Sequence, residues 1–323
     1  MKAFILLIFI TISLDAKEVN FVKLKEVGEF VKELSLSENL DKDELLKVFE
    51  DTKFLPKVLE IYNIPFNRYK TDASWKRYES KIITSKRVKQ THKFISKHLE
   101  VLKKAEDLYQ VPKEYIATFI GIESHFGSNT GKFSVLNSLS SLAFFKNRKQ
   151  KFFKNELREL FILASKKKIK PNSLKGSFAG AMGCVQQLPS VHNRYGVDFD
   201  NDGKKDMWDM DDCIGTIANF LHQNGWENGK TVAVKARYVG KRYRGFKTGY
   251  NQIYTIEFLK KQNITPTKKF PQTQASLLQL RGVSEDEIWL GAKNFQILTK
   301  YNNSTNYGMA IYQLSQRVMG LTL

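Results

Sequence analysis

The stretch YIATFIGIESHFGSNTG, residues 115–131, places one acid near the end of an apolar helix. Tyr115, Ile116, Phe119, Ile120 and Ile122 precede Glu123, and Phe126 follows it. Phe119 lies four residues before Glu123 and Ile120 three before. On a helix the carboxyl therefore shares a face with apolar side chains. A charge in that setting costs free energy unless it is paired or protonated. Two readings follow. In one, Glu123 turns out to solvent or pairs with a lysine, as most acids do. In the other, an apolar wall desolvates it and raises its pKa, so that it keeps a proton to give to a leaving oxygen. The second describes the general acid of glycoside cleavage.

Outward from this helix the chain is mainly helical. LDKDELLKVFED (40–51) opens with a capping-box signature, Asp41 with Glu44. TKFLPKVLEIYNIP (52–65) reads as a short helix, and FNRYKTDASW (66–75) as a connection. Val88, Ile95, Leu99, Leu102, Ala105 and Tyr109 keep a helical period and predict one long helix over 86–109. Pro112 opens the helix of Glu123, and Gly127 ends it. FSVLNSLSSLAFF (133–145) and KFFKNELRELFILASKKK (151–168) follow as helices; Glu156 and Glu159 in the second read as solvated. Glycines and small residues in SLKGSFAGAMGCVQQLPS (173–190) predict a close-packed turn region. TVAVKARY (231–238), YNQIYTIEF (250–258), EIWL (287–290) and FQILTKYN (295–302) read as β-type runs. STNYGMAIYQLSQRVMG (304–320) is a closing helix with Ser304 as its N-cap.

These patterns divide the chain into a signal peptide (1–16), a helical N-terminal region (17–74), a helical core (75–229), a β-rich insert (230–299) and a C-terminal segment completing the core (300–323). The fold class is mainly α, with an α+β character from the insert. Lys2 and the apolar run Ala3–Leu14 carry the signal-peptide reading. No cysteine adjoins the expected cleavage edge at Ala16, so no lipid-attachment point is read there.

At 323 residues and 42% hydrophobic, the chain can bury a sizeable core. Its net charge of +19 favours polyanions, which for an exported protein means anionic wall polymer or a membrane surface; a plain lysine-rich solvated surface is the alternative. No basic recognition motif for nucleic acid is present. Cys184 and Cys213 could pair in an oxidising compartment or lie as free buried thiols.

DFDNDGKKDMWDMDD (198–212) supplies the second chemical signal. Asp198, Asp200 and Asp202 take positions 1, 3 and 5 of an EF-hand pattern, Gly203 position 6 and Asp206 position 9. Lys204 at position 7 would offer its carbonyl. Spacing alone leaves Asp209 and Asp212 both open as the closing ligand, with Asp209 also suited to cap a helix.

Together these stretches resemble the lytic murein transglycosylase B family, whose catalytic core is lysozyme-like. VPKEYIATFIGIESHFG (111–127) is similar to the family's helix bearing its catalytic glutamate, which maps to Glu123. LKGSFAGAMGCVQQLPS (174–190) resembles its second motif and places Ser177 and Gln186 in the site. The acidic loop resembles the family's long EF-hand-like loop, and this version favours Asp212 as the closing ligand of a structural Ca²⁺. KYNNSTNYGMAIYQL (300–314) resembles the C-terminal motif and places Asn302 and Tyr307 in the cleft. WKRYESKII (75–83) places Tyr78 at its edge, and Arg148 with Lys149 falls where the family has a basic pair. There are departures. Ser124 stands where threonine is usual, Cys184–Val185 replaces Tyr-Gly, and Phe220 replaces a cleft tyrosine.

The signal-peptide reading implies a periplasmic protein, expected as a monomer, and the resemblance implies an enzyme. It would cut the MurNAc–GlcNAc bond of peptidoglycan strands to leave 1,6-anhydro ends, with Glu123 as acid and then base. Other cell-wall enzymes are further partners to expect; an organic cofactor and nucleic acid are not. A hydrolytic muramidase on the same scaffold and a non-catalytic wall-binding protein are the rival readings.

Overall fold

The computed structural model describes residues 19–63 and 74–321; the expected signal peptide lies outside them. Helices α1 (Lys25–Glu38), α2 (Lys42–Glu50) and α3 (Pro56–Asn63) open the described chain. Asp41 caps α2 by accepting from the Glu44 N–H at 2.8 Å, as the capping signature requires. Helices α4 (Ser74–Ile82), α5 (Ser85–Lys97), α6 (Leu99–Tyr109) and α7 (Lys113–Ser124) follow. The single helix expected over 86–109 is thus two, parted at His98, where φ is −113° and ψ 30°. Hydrogen bonds still cross the joint, from His98 N–H to Phe94 O and from Leu102 N–H to His98 O. The apolar period survives the bend, so the pattern could not reveal it.

Next come β1 (Phe133–Ser134), α8 (Val135–Phe144), α9 (Gln150–Lys167), β2 (Lys175–Gly176), α10 (Pro189–Tyr195) and α11 (Met210–Gln223). The glycine-rich segment between β2 and α10 holds no helix. Gly183 lies there at φ +71°, and an added Cβ would sit 2.0 Å from the Met207 carbonyl oxygen. Only glycine allows that approach.

Beyond α11 lie β3 (Ala233–Tyr238), β4 (Ile253–Thr255), α12 (Ile256–Lys261), β5 (Ile264–Pro266), β6 (Gln274–Leu280), β7 (Glu287–Gly291), α13 (Lys293–Tyr301) and α14 (Thr305–Val318). The five strands from β3 to β7 form one antiparallel sheet in the order β4-β6-β7-β3-β5. Two β readings are corrected here. YNQIYTIEF is strand only to Thr255, whose side chain then caps α12 at the Phe258 N–H. FQILTKYN is helical: Phe295 and Leu298, three apart, are both fully buried, and Asn294 is held by the backbone at Glu227. Burial against neighbours overrides the β preference of these side chains.

The apolar side chains collect into three clusters. The largest surrounds α7 and joins Trp75, Phe119, Ile120, Phe220, Phe295 and Tyr307. A second unites the N-terminal helices with α8 and α9, where Phe21, Phe30, Phe49, Phe144 and Phe161 pack ring against ring. The third fills one face of the sheet. Glu156, read as solvated, is instead 2% exposed. Its carboxylate accepts from the Ser190 O–H at 2.7 Å and the Ser190 N–H at 3.1 Å, tying α9 to the first turn of α10. Such burial is tolerable because two donors replace water.

Cys184 and Cys213 form a disulfide across 29 positions, fastening the glycine-rich segment to α11. Replacing both by alanine should lower the unfolding free energy by about 3 kcal/mol through the lost loop closure. A denaturant titration with an unchanged midpoint would refute a stabilising role.

Candidate active site

Glu123 occupies the last turn of α7. Phe119 from the preceding turn lies against Tyr301 and Tyr307, with ring centroids 5.1 and 6.1 Å away. Phe220 packs edge-on to Tyr301 at 4.9 Å and to Tyr195 at 4.8 Å. Phe220 therefore extends an aromatic wall. The Tyr307 hydroxyl donates directly to Glu123 Oε1. Glu123 as a residue keeps some contact with solvent, yet protein atoms ring its carboxyl. Burial pushes that carboxyl up to about 7, and the Tyr307 donor works against the rise. Tyr301 and Tyr307 are held far above the ordinary phenol value, by burial first and by the Glu123 charge second. Both remain neutral donors at any working pH.

Ser124 is fully buried and joins α7 to the glycine-rich segment. Its hydroxyl donates to the Cys184 carbonyl at 2.6 Å and accepts from the Gly127 N–H at 2.8 Å. The Tyr301 hydroxyl donates to the next carbonyl, that of Val185. Gln186 then adopts φ +49°, a left-handed conformation that costs a non-glycine residue energy and that functional loops often retain. Its Nε2 donates to the Gly183 carbonyl at 2.9 Å and the Thr130 carbonyl at 3.0 Å. Ser177 Oγ accepts from the N–H groups of Ala181 at 3.0 Å and Ala179 at 3.3 Å, so it shapes the same turn.

The remaining expected residues divide. Tyr78, on α4 and half-buried, lies within electrostatic reach of Glu123; burial and then that charge raise its phenol. Asn302 follows α13 as an exposed residue beside Tyr301, with its carbonyl accepting from the Ser304 N–H at 2.6 Å. Arg148 is exposed, donates to the Tyr62 carbonyl at 3.3 Å and covers the Tyr62 ring. No contact joins it to Glu123. Tyr301 and Ser124 were not singled out as site residues from sequence; the signal available for Tyr301 was its place beside Asn302 in the C-terminal motif.

In the acidic loop, Asp198, Asp200 and Asp212 each bring one oxygen within 4.8 Å of the others. Asp198 Oδ1 is buried without a partner, while its Oδ2 accepts from the Gly203 N–H at 2.9 Å. Asp212 is 2% exposed, and burial raises its carboxyl against the backbone donors of Phe199 and Asp206. Asp209 caps α11, accepting from the Asp211 and Asp212 N–H groups. Asp202 and Lys204 stand outside the converging trio: Asp202 Oδ1 accepts from the Lys204 N–H, and the Lys204 ammonium lies 3.5 Å from the Asp202 carboxylate. Three converging carboxylates with an orphaned oxygen fit a hard dication.

Comparison with known proteins identifies the family. Residues 23–316 match the family model described as the transglycosylase SLT domain. The membrane-bound lytic murein transglycosylase B of Escherichia coli (strain K12) is 34% identical over 306 residues, covering 93% of this chain and 84% of that protein. The Escherichia coli lytic transglycosylase Slt35 in complex with calcium superposes with a TM-score of 0.85 at 34% identity, covering 93% of this chain and 94% of that one. Soluble lytic transglycosylase SltB1 from Pseudomonas aeruginosa does so with a TM-score of 0.85 at 34% identity, over 91% and 98% of the two chains. The chain belongs to the transglycosylase SLT family of peptidoglycan-cleaving lytic transglycosylases.

Proposed function

We propose that the chain cleaves the MurNAc–GlcNAc β-1,4 bond without water, with Glu123 acting alone as acid and then base. The observation that carries this reading is the Glu123 carboxyl, raised by burial to about 7 and gripped by one phenol. Hydrolases of either stereochemistry use a pair of carboxylates. Glu156, the one glutamate almost fully buried among the described residues, has both oxygens spent on Ser190.

Protonated Glu123 gives its proton to the glycosidic oxygen as the bond to the anomeric carbon breaks. The substrate's own N-acetyl group assists at that carbon. The carboxylate left behind is stabilised by the Tyr307 hydroxyl, a charge-assisted hydrogen bond. It then removes the proton of the sugar 6-hydroxyl, whose oxygen closes the 1,6-anhydro ring. Glu123 ends protonated, as it began. Tyr78 offers a ring at the edge of the cleft. Gln186, Ser177 and Asn302 supply polar contacts to N-acetyl and hydroxyl groups, and Arg148 binds further along the strand.

Asp198, Asp200 and Asp212 would hold a structural Ca²⁺, with Asp202 and the Lys204 carbonyl completing the shell. The relative solved with calcium supports this choice of ion. The cation would neutralise the cluster and brace the loop that meets the glycine-rich segment at the Cys184 N–H to Met207 O hydrogen bond. The apolar leader points to export into the periplasm. Among the described residues no helix is long and apolar enough to cross a membrane. The enzyme acts as a monomer on glycan strands, with other cell-wall enzymes as candidate partners.

Four outcomes are expected. Glu123→Gln should abolish release of soluble anhydro-muropeptides from purified sacculi, read by product mass; near wild-type release would sink the mechanism, and reducing ends would indicate hydrolysis. Because Glu123 must enter the reaction protonated, kcat/KM should fall as pH rises through about 7. Tyr307→Phe removes the donor that favours the carboxylate, so this limb should move to higher pH while the rate drops about 10-fold or more; a limb that stays or moves down contradicts the assignment. Chelation should lower the melting temperature of the wild type but not of Asp198→Ala with Asp200→Ala. Equal melting curves for the wild type with and without chelator would remove the calcium site.

A further inference from the structure

Arg87 is a buried cation that the reaction as described does not use. It is 8% exposed and sits in the first turn of α5, where its own N–H is bonded to the Thr84 cap at 3.1 Å. Both circumstances disfavour a positive charge. Burial strips its water, and the positive end of a helix repels a cation and attracts an anion. Its guanidinium donates from Nη1 to the Ile82 carbonyl at 3.2 Å and from Nη2 to His125 Nε2 at 3.3 Å. Among the described residues no Asp or Glu forms an ion pair with it. The guanidinium has only N–H donors, so in this contact it donates and His125 Nε2 accepts. The imidazole therefore orients the fork without neutralising it. Most buried charges have a counter-charge, and this one lacks its own.

The location supplies the rest. His125 is exposed and follows Glu123 by two residues. Tyr78 feels the charges of both Glu123 and Arg87, which act on its phenol in opposite directions. The Arg87 guanidinium is therefore a neighbour of Tyr78 and, through its contact with exposed His125, lies beside the end of α7 that carries Glu123. We propose that Arg87, with His125 and Tyr78, forms a subsite for a carboxylate carried by the glycan substrate. A planar fork with N–H groups to spare, next to a helix N-terminus, suits a carboxylate better than a neutral sugar hydroxyl. Peptidoglycan offers two such groups: the lactyl carboxylate of a muramic residue whose stem peptide has been removed, and a carboxylate of a retained stem. Arg87 is then a specificity-determining residue, and it selects strands by the state of their stems.

The proposal rests on Glu123 being the reacting group, and its test keeps the two apart. Binding is measured in a Glu123→Gln background with three probes: stem-bearing muropeptide strands, amidase-stripped glycan strands, and N-acetylglucosamine oligomers, which have no carboxylate. Arg87→Gln should weaken one carboxylate-bearing probe about tenfold or more and leave the oligomer affinity unchanged. Arg87→Lys should recover part of the loss. The probe that suffers identifies the carboxylate. Equal losses on all three probes would mean that Arg87 only holds the α4–α5 corner; no loss on any would remove the subsite. Should Arg87→Gln melt before binding is read, His125→Ala tests the same subsite from its exposed side. It should give a several-fold loss confined to the same probe, and unchanged affinity would overturn the proposal. A Glu123→Gln variant that still cleaves sacculi would refute the catalytic reading while leaving this comparison intact.

Discussion

The hydrogen bond from Tyr307 to Glu123 joins α14 to α7 across 184 positions of sequence, and the rest of the site is organised around it. It needs a carboxyl that water cannot fully reach, so the wall beside it is aromatic: Phe119, Tyr301, Phe220 and Tyr195 in edge-on contact. It also needs the end of α7 to be fixed. Ser124 does this by bonding to the Cys184 carbonyl, and the disulfide then carries the connection to α11. The chain of contacts ends at Asp212, one residue from Cys213 and part of the acidic trio. Helix α7, the glycine-rich segment and the acidic loop are thus mechanically one unit.

Electrostatically the same bond sets a balance. Burial lifts the Glu123 carboxyl and the phenol pulls it down, and the two leave it near the pH at which a group can both give and take a proton. In the proposed reaction a more polar wall would leave it ionised and unable to begin, and a drier one would strand the anion after the first transfer. The neighbouring phenols, raised by burial and by Glu123 itself, stay neutral and keep donating. Phe220 extends the apolar wall through its edge-on contact with Tyr301.

The second apolar cluster explains why the N-terminal helices accompany the core. α8 and α9 bury their inner faces against Phe21, Phe30 and Phe49 rather than against α7. The turn after β2 carries Met182 into that cluster, while Cys184 two residues on packs with the cluster around α7. The glycine-rich segment therefore runs between two cores, which is why its backbone is crowded enough to need Gly183.

Spacing along the chain determined the helical class, the apolar face beneath Glu123, the caps at Asp41 and Ser304, and the alternate acids of the 198–212 loop. Each is a local pattern, and local patterns are fixed by covalent spacing. The ordered motifs also carried the family. What only the tertiary structure decided is partnership and burial. FQILTKYN has the side chains of a strand, and its helix exists because one face is buried. Glu156 looks solvated among lysines, yet two Ser190 donors wait for it 34 positions away. Two cysteines 29 apart leave pairing open until a turn and a helix are brought together. Whether the Glu123 carboxyl met solvent or a desolvated partner likewise turned on Tyr307, because desolvation and hydrogen bonding depend on distance in space and sequence records distance along the chain.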